Sequence, residues 1–242
     1  MSLDITGLPP QCRQCGVRNG ALCGVLTPDE LGALNASSRH RQFFEGQTIV
    51  IEGEPAIVGN ILSGVCIEKK SLPDGREQIV SILFPADFVS GDLDGVSDTT
   101  VQAVSDVRLC MHDRANFQKL LEEHQGLQMA YLGHARQELS NAREWMLLLG
   151  QKTAEERVAT FLLRLATRYT EAGCRHYPIQ EARDGMVFDI PITRAQIAAH
   201  IGLTIETVSR KLRGLCDQAA IDLVGTRTVK LKNVARLRSV AN

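Results

Sequence analysis

Residues 192–215 read ITRAQIAAHIGLTIETVSRKLRGL, and few backbone paths satisfy that string. Thr193 stands where an N-cap oxygen is needed, and Ile197, Ala198 and Ile201 follow at helical spacing. Gly202 permits a tight turn. Thr204 then caps a second helix. On it Val208, Leu212 and Leu215 form the buried stripe, and Glu206, Ser209, Arg210 and Arg213 project from the opposite face. Two short helices joined in this way predict a helix-turn-helix, whose second helix offers its N-terminal half to the major groove of DNA. The side chains suit that use. Arg210 can donate two hydrogen bonds to guanine O6 and N7, Glu206 can accept from cytosine N4, and Ser209 can bond a base edge or a phosphate. Arg194 and Thr204 are expected to join them at the DNA. Strands at Ile221–Val224 and Thr228–Lys232, joined by Gly225-Thr226-Arg227, close the chain as a wing that presents Arg227, Lys230 and Lys232 to phosphates.

Charge agrees with that placement. Residues 1–150 carry 12 Lys and Arg against 19 Asp and Glu, whereas residues 151–242 carry 15 against 9. A basic C-terminal piece on an acidic body fits a nucleic-acid surface carried by a domain of another kind. The remaining composition is that of an ordinary globular protein, with 44% hydrophobic and 23% charged residues. No apolar run approaches the length of a membrane span, and Met-Ser-Leu-Asp-Ile-Thr lacks the regions of a signal peptide, so the chain reads as cytoplasmic. No nucleophile motif, Walker loop or GxGxxG stands out, which disfavours an enzyme.

Four regions follow: 1–25, Cys- and Gly-rich, a loop that needs something to order it; 26–113, a sensor domain; 114–150, helical; and 151–242, the DNA-binding domain. Thr27 predicts a cap for a helix over 27–38, with Pro28 and Glu30 in its first turn. From Phe43 to His112, apolar runs at Thr48–Ile51, Gly59–Ile67, Gln78–Phe84 and Thr100–Met111 are punctuated by Gly46, Gly53, Gly64, Pro73-Asp74-Gly75 and Pro85. Short strands between turn residues predict an antiparallel β-roll of the jelly-roll kind. Asp113 caps the helical region, with a break near Gly126. Beyond it Leu132, Ala135, Leu139, Ala142, Met146 and Leu149 alternate spacings of three and four. That narrow seam suits a long helix paired with its own copy. Thr153-Ala-Glu-Glu156 is a capping box for a helix whose apolar face is Val158, Phe161, Leu162, Leu165 and Tyr169, with Gly173 as its stop. A strand is expected at Met186–Ile190. The fold class is α+β: β-roll, long dimerisation helix, winged helix-turn-helix.

Seven cysteines in a reducing compartment point to metal or redox chemistry rather than disulfides. Cys12, Cys15 and Cys23 lie within twelve residues, with Arg13 and Arg18 between them. Thiolates bind soft metals, and a fourth would complete a tetrahedral zinc site or a cubane cluster. Cys66 and Cys110 are the β-roll candidates for that fourth ligand. Cys66 reads as a small buried hydrophobe. Cys174 and Cys216 fall in the DNA-binding domain and read as structural. His112 and His134 have no partner at a ligand spacing and read as surface or interface residues.

The motif Ile192-Thr-Arg-x-x-Ile-Ala…Gly-Leu-Thr-x-Glu-Thr-Val-Ser-Arg210 resembles the cyclic-AMP receptor protein/FNR superfamily of bacterial transcription regulators, and the resemblance covers nearly the whole chain. Residues 145–158, WMLLLGQKTAEERV, resemble the hinge of the FNR branch, and Glu206-x-x-Ser209-Arg210 resembles its reading set, which implies a palindromic DNA site with TTGAT-like half-sites. The β-roll is then of the cyclic-nucleotide-binding type. Its phosphate region would fall at Asp87–Thr100, which holds Asp87, Asp92, Asp94 and Asp98 and no Lys or Arg, so no cyclic nucleotide is expected. The x2/x7 cysteine spacing resembles the FnrL/FnrN subgroup. That resemblance implies a [4Fe-4S] cluster on Cys12, Cys15, Cys23 and Cys110, an oxygen-responsive homodimer, and contact with RNA polymerase, for which the loop Leu72–Glu77 is a candidate surface. Alternatives remain a regulator of the same fold that senses nitric oxide or thiol oxidation, and a zinc or thiol protein without a cluster. Ala142 departs from the family, which carries an acidic residue at that seam position; this implies a weaker oxygen dependence of dimerisation.

Overall fold

The computed structural model describes residues 7–90, 95–173 and 182–242. They form two compact units. One combines Met1–Lys70 with Val80–Leu139, the other Ser71–Ile79 with Ser140–Asn242.

The first unit begins with one helical turn, α1 (Pro10–Arg13), 3-10 turns at Arg18–Gly20 and Leu22–Val25, and α2 (Pro28–Ala36). The capping box at Thr27 and Glu30 is formed. Eight strands follow: β1 (Arg39–Phe43), β2 (Thr48–Val50), β3 (Val58–Ser63), β4 (Cys66–Ser71), β5 (Glu77–Leu83), β6 (Phe88–Ser90), β7 (Thr100–Ala103) and β8 (Val107–His112). They make two four-stranded sheets, β1-β8-β3-β6 and β2-β7-β4-β5. This is the expected antiparallel roll. Its core holds Ile61, Cys66, Val89, Val101, Val107 and Leu109, so Cys66 does pack as a hydrophobe.

Two expected strands are each split. The run Gly59–Ile67 breaks at Gly64, whose φ of +86° and close approach to the Asp106 carbonyl leave no room for a Cβ. Thr100–Met111 breaks between Ala103 and Val107. Strand β1 escapes the apolar pattern because Arg39, His40, Arg41 and Gln42 are exposed and only Phe43 faces inward. The N-terminal segment is ordered by apolar anchoring rather than left as loop. Leu8, Val17 and Ala21 are buried, and Leu22, Cys23 and Leu26 pack on a cluster that includes Leu34, Phe88, Phe117 and Leu120.

Asp113 accepts from the Asn116 N–H and starts α3 (Arg114–Glu123); α4 (Gln125–Gln151) follows. The break therefore falls at His124, not Gly126. The second unit contains the end of α4, α5 (Ala154–Gly173), β9 (Val187–Asp189), α6 (Arg194–Ile201), α7 (Ile205–Asp217), β10 (Ile221–Val224), β11 (Thr228–Leu231) and α8 (Val234–Ala241). The strands form a sheet in the order β10-β11-β9. The chain closes with α8 rather than with the wing strands. Asn233 caps this helix, and Val234, Leu237 and Ala241 bury one face of it at spacings of three and four. Cys174 and the segment 174–181 lie outside the described residues.

In this second unit Arg157 is a clamp. Its guanidinium donates to Lys152 O, Leu149 O, Ile201 O and Gly202 O, satisfying end-of-helix carbonyls of both α4 and α6. The Ser71–Ile79 segment joins the same unit. Gln78 donates to His200 O at 2.9 Å, and His200 Nδ1 lies 2.9 Å from Ile79 O. The His200 ring is also stacked edge-on under Trp145. Among the described residues no helix is long and apolar enough to cross a membrane.

Candidate functional site

Strand alternation puts Cys110 and His112 on one face of β8. The neighbouring strands add to that face at the same level. His40 of β1 and Asn60 of β3 are the cross-strand partners of Cys110. The helical N-terminal segment and α2 cover this row. The result is a cavity of about 30 Å³ lined by Cys12, Cys15, Cys23 and Cys110 together with Arg18, Asn35, Ser38, His40, Asn60 and His112. All four expected ligands thus meet, although Cys110 is far from the others in sequence.

The electrostatics confirm the proximity. Burial, then Cys15, Cys110 and Cys12, push the Cys23 thiol up to about 12. Burial likewise lifts Cys110 to about 11, against the Ser38 hydroxyl beside it and with help from Cys12 and Cys15. Cys12 is raised by burial and Cys15, and lowered by Arg18. Cys12, Cys23 and Cys110 therefore stay protonated unless a cation compensates their charge. Among the described residues no three His, Cys, Asp or Glu side chains stand close enough for a single metal ion. A space of 30 Å³ holds about two waters, so a multi-iron group would push the 12–23 segment outward. Short turns and Gly16, which has open space around it, give that segment the means to move.

His112 corrects the expectation of a surface residue. It is stacked on Phe117, and burial followed by His40 pulls it down to about 4, so the ring is neutral. Its Nε2 lies 3.5 Å from Asn60 Nδ2. His112 Nδ1 and Asn60 Oδ1 are both buried without a partner. The signal was present in the sequence, since Cys110 and His112 are two apart on a strand.

The region expected to meet a cyclic phosphate is acidic where it is described; Gly91–Asp94, including Asp92 and Asp94, lies outside. Burial, then Glu138, Asp98 and Asp87, push Glu68 of β4 up to about 8.

On the second unit the reading face is formed as expected. Glu206, Ser209, Arg210 and Arg213 line one open groove with Ile205 and Asp217. Val208, Leu212 and Leu215 are buried behind it. Gly202 has φ +65°, and a Cβ there would press on Leu149 and Arg157, so the turn requires glycine. The helix is held in place by Glu155, which accepts from Lys211 and Gln218. Two of the residues expected at the DNA also make bonds within this unit. The Thr204 hydroxyl accepts from the Thr207 N–H as the N-cap. Arg194 Nη2 donates to Thr226 O of the wing turn, while its Nη1 has no protein partner. Arg227 is exposed.

Along α4, Leu132, Ala135, Leu139, Ala142 and Met146 are exposed. Leu149 instead packs toward the Gly202 turn.

Residues 156–240 match the model of the Crp-like helix-turn-helix domain, and residues 40–124 match that of the cyclic nucleotide-binding domain. A probable transcriptional activator of Rhizobium leguminosarum bv. viciae is 39% identical over 87% of this chain and 84% of its own length. This chain belongs to the CRP/FNR family. Another member, the transcriptional activator protein FnrL of Cereibacter sphaeroides, is 34% identical over 94% of this chain and 90% of its own length. The structure of FixK2 from Bradyrhizobium japonicum superposes with a TM-score of 0.75 at 30% identity, covering 85% of this chain and 98% of that one. The chain is thus a transcription regulator with a DNA-binding helix-turn-helix.

Proposed function

We propose that this regulator responds to oxygen through a [4Fe-4S] cluster held by Cys12, Cys15, Cys23 and Cys110, and that it acts as a homodimer on a palindromic promoter site with TTGAT-like half-sites. The observation that carries this reading is one cavity lined by four thiols drawn from two distant parts of the chain. The buried, partnerless His112 Nδ1 on the same cavity, and Arg18 beside Cys12, suit an anionic group. When bound, such a cluster supplies an oxygen-labile cross-link between the N-terminal segment and β8.

The chain's own residues would pass that cross-link on. The Cys12 thiol donates to Asn35 of α2 at 3.6 Å, and ligation of Cys12 as a thiolate would release that bond. Asn116 of α3 donates to Ser37 Oγ at 2.8 Å and to Ala33 O, tying α3 to α2. Cys110 itself lies two residues before the end of β8, and the Asp113 cap of α3 comes next. Strain on the thiols therefore reaches α3 and the start of α4. The exposed seam from Leu132 to Met146 is the surface a second copy would cover. Dimerisation would set two reading helices about 34 Å apart, one turn of DNA. No cyclic nucleotide is taken in this account, because Asp87 and Asp98 would repel its phosphate and residues 87–100 hold no Lys or Arg to pair with it. The exposed loop Leu72–Glu77 would face RNA polymerase.

The test uses protein purified without oxygen and a fluorescent duplex carrying the palindrome. Tight, palindrome-dependent binding that weakens at least tenfold after air, together with loss of iron, is the expected result. Equal binding before and after air by an iron-free protein would refute the oxygen reading and leave a cluster-free regulator.

A further inference from the structure

Resting on the cluster reading above, we propose that His112 and Asn60 form a hydrogen-bonding frame for the bound group, with His112 Nδ1–H donating to an anionic sulfur at the Cys110 corner of the cavity. The geometry has three parts. Asn60 is the direct cross-strand neighbour of Cys110, and His112 is two residues along the same strand, so all three side chains leave one face of the sheet. Both His112 and Asn60 line the four-thiol cavity. Their mutual contact uses Asn60 Nδ2 and His112 Nε2 at 3.5 Å.

That contact fixes the roles. The amide nitrogen of Asn60 donates, so Nε2 accepts and the ring proton sits on Nδ1. This Nδ1 has no partner and is buried. A buried donor left unmade is costly, so its place on a thiol-lined cavity points to a partner supplied by the bound group. Phe117, stacked on the ring at an interplanar angle of 18°, holds its orientation. Hydrogen bonds to cluster and ligand sulfurs raise the reduction potential, because they stabilise the added negative charge. His112 is then a positioning and tuning residue, not a ligand.

The experiment compares the full chain with His112→Phe, His112→Gln and Asn60→Leu, each reconstituted without oxygen using ferrous ion and sulfide. The readouts are iron per chain, the iron–sulfur stretching bands in resonance Raman spectra, and the midpoint potential. The expected result is near-parental iron in all of them. His112→Phe shifts the potential to more negative values and shifts the stretching bands, His112→Gln recovers most of both shifts, and Asn60→Leu gives a smaller shift of the same sign. Parental potential and bands in both His112→Phe and Asn60→Leu would overturn the frame while leaving the cluster intact. A fall to no iron in His112→Phe that His112→Gln does not rescue would make His112 a ligand, which also overturns it. Failure of the parent chain to take up iron would refute the cluster reading itself.

Discussion

The two functional regions of this molecule differ in how complete they are. The reading helix is finished by the chain's own bonds: Thr204 caps it, Gly202 turns into it, Glu155 holds its outer side and Arg157 braces the helix before it. The cysteine cavity is not finished. Burial and neighbouring thiols raise Cys12, Cys23 and Cys110 above the ordinary thiol range, and two of the cavity's buried polar atoms have no partner. The comparison teaches that the reading helix draws its caps and braces from the chain itself, whereas the cysteine cavity leaves buried polar atoms unmatched, as the proposed cluster would require.

The sharpest way to break that contrast is Cys23→Ser. Iron uptake is expected to fall to nearly nothing, with the far-ultraviolet circular dichroism and the melting of the second unit unchanged. Loss of fold in both halves would mean that the cavity is structural.

A second test probes the packing of His200 in the second unit by pH. Burial outweighs the Ile79 hydrogen bond and lowers His200 to about 4, below its ordinary 6.5. Its folded pKa is depressed, so the unfolded chain takes up the proton first. Stability is full above pH 6.5 and is lost as pH falls toward 4, by on the order of 3 kcal/mol across that window. Denaturant melts should show this loss. The loss should shrink in His200→Gln, which retains an N–H for the Ile79 carbonyl.

Arg210→Ala is expected to weaken binding to the palindrome by about 1–3 kcal/mol and to relax discrimination at one guanine. Arg227→Ala should weaken all duplexes alike and reduce the salt slope by about one. Anisotropy titrations on matched and mismatched duplexes distinguish the two. Identical profiles would contradict the division between reading helix and wing.

The smallest effect sharpens the link between the halves. Ala142→Asp places two like charges on the seam, which should raise the dimer dissociation constant about tenfold in aerated protein, an order of 1 kcal/mol. Sedimentation velocity reads it. No change would take Ala142 out of the interface.

What the sequence disclosed follows the same line. Caps, glycine turns and helical stripes are local, so residues 192–215 could be read directly; the capping box at Thr153 is formed as expected, and the Thr27 cap is completed by Glu30 into a box. Features that depend on register were hidden. Strand β1 is polar because one of its faces is exposed, and it is a strand because β8 pairs with it. His40 and Asn60 flank Cys110 only once three strands are aligned. His112 was within reach, since the period of two along β8 already placed it beside Cys110. Helix α8 was also legible in its Asn233 cap and its Val234, Leu237 and Ala241 spacing. Arg194 and Thr204 show that side chains suited to DNA also hold the elements that read it, a role only the wing turn and the helix cap reveal.

The central claim is that four thiols from separate parts of the chain share one inorganic group. Iron and acid-labile sulfide, measured on protein purified without oxygen, test it most directly. About four of each per chain is the expected result. One zinc per chain, or no metal with all of the thiols titratable, would contradict it.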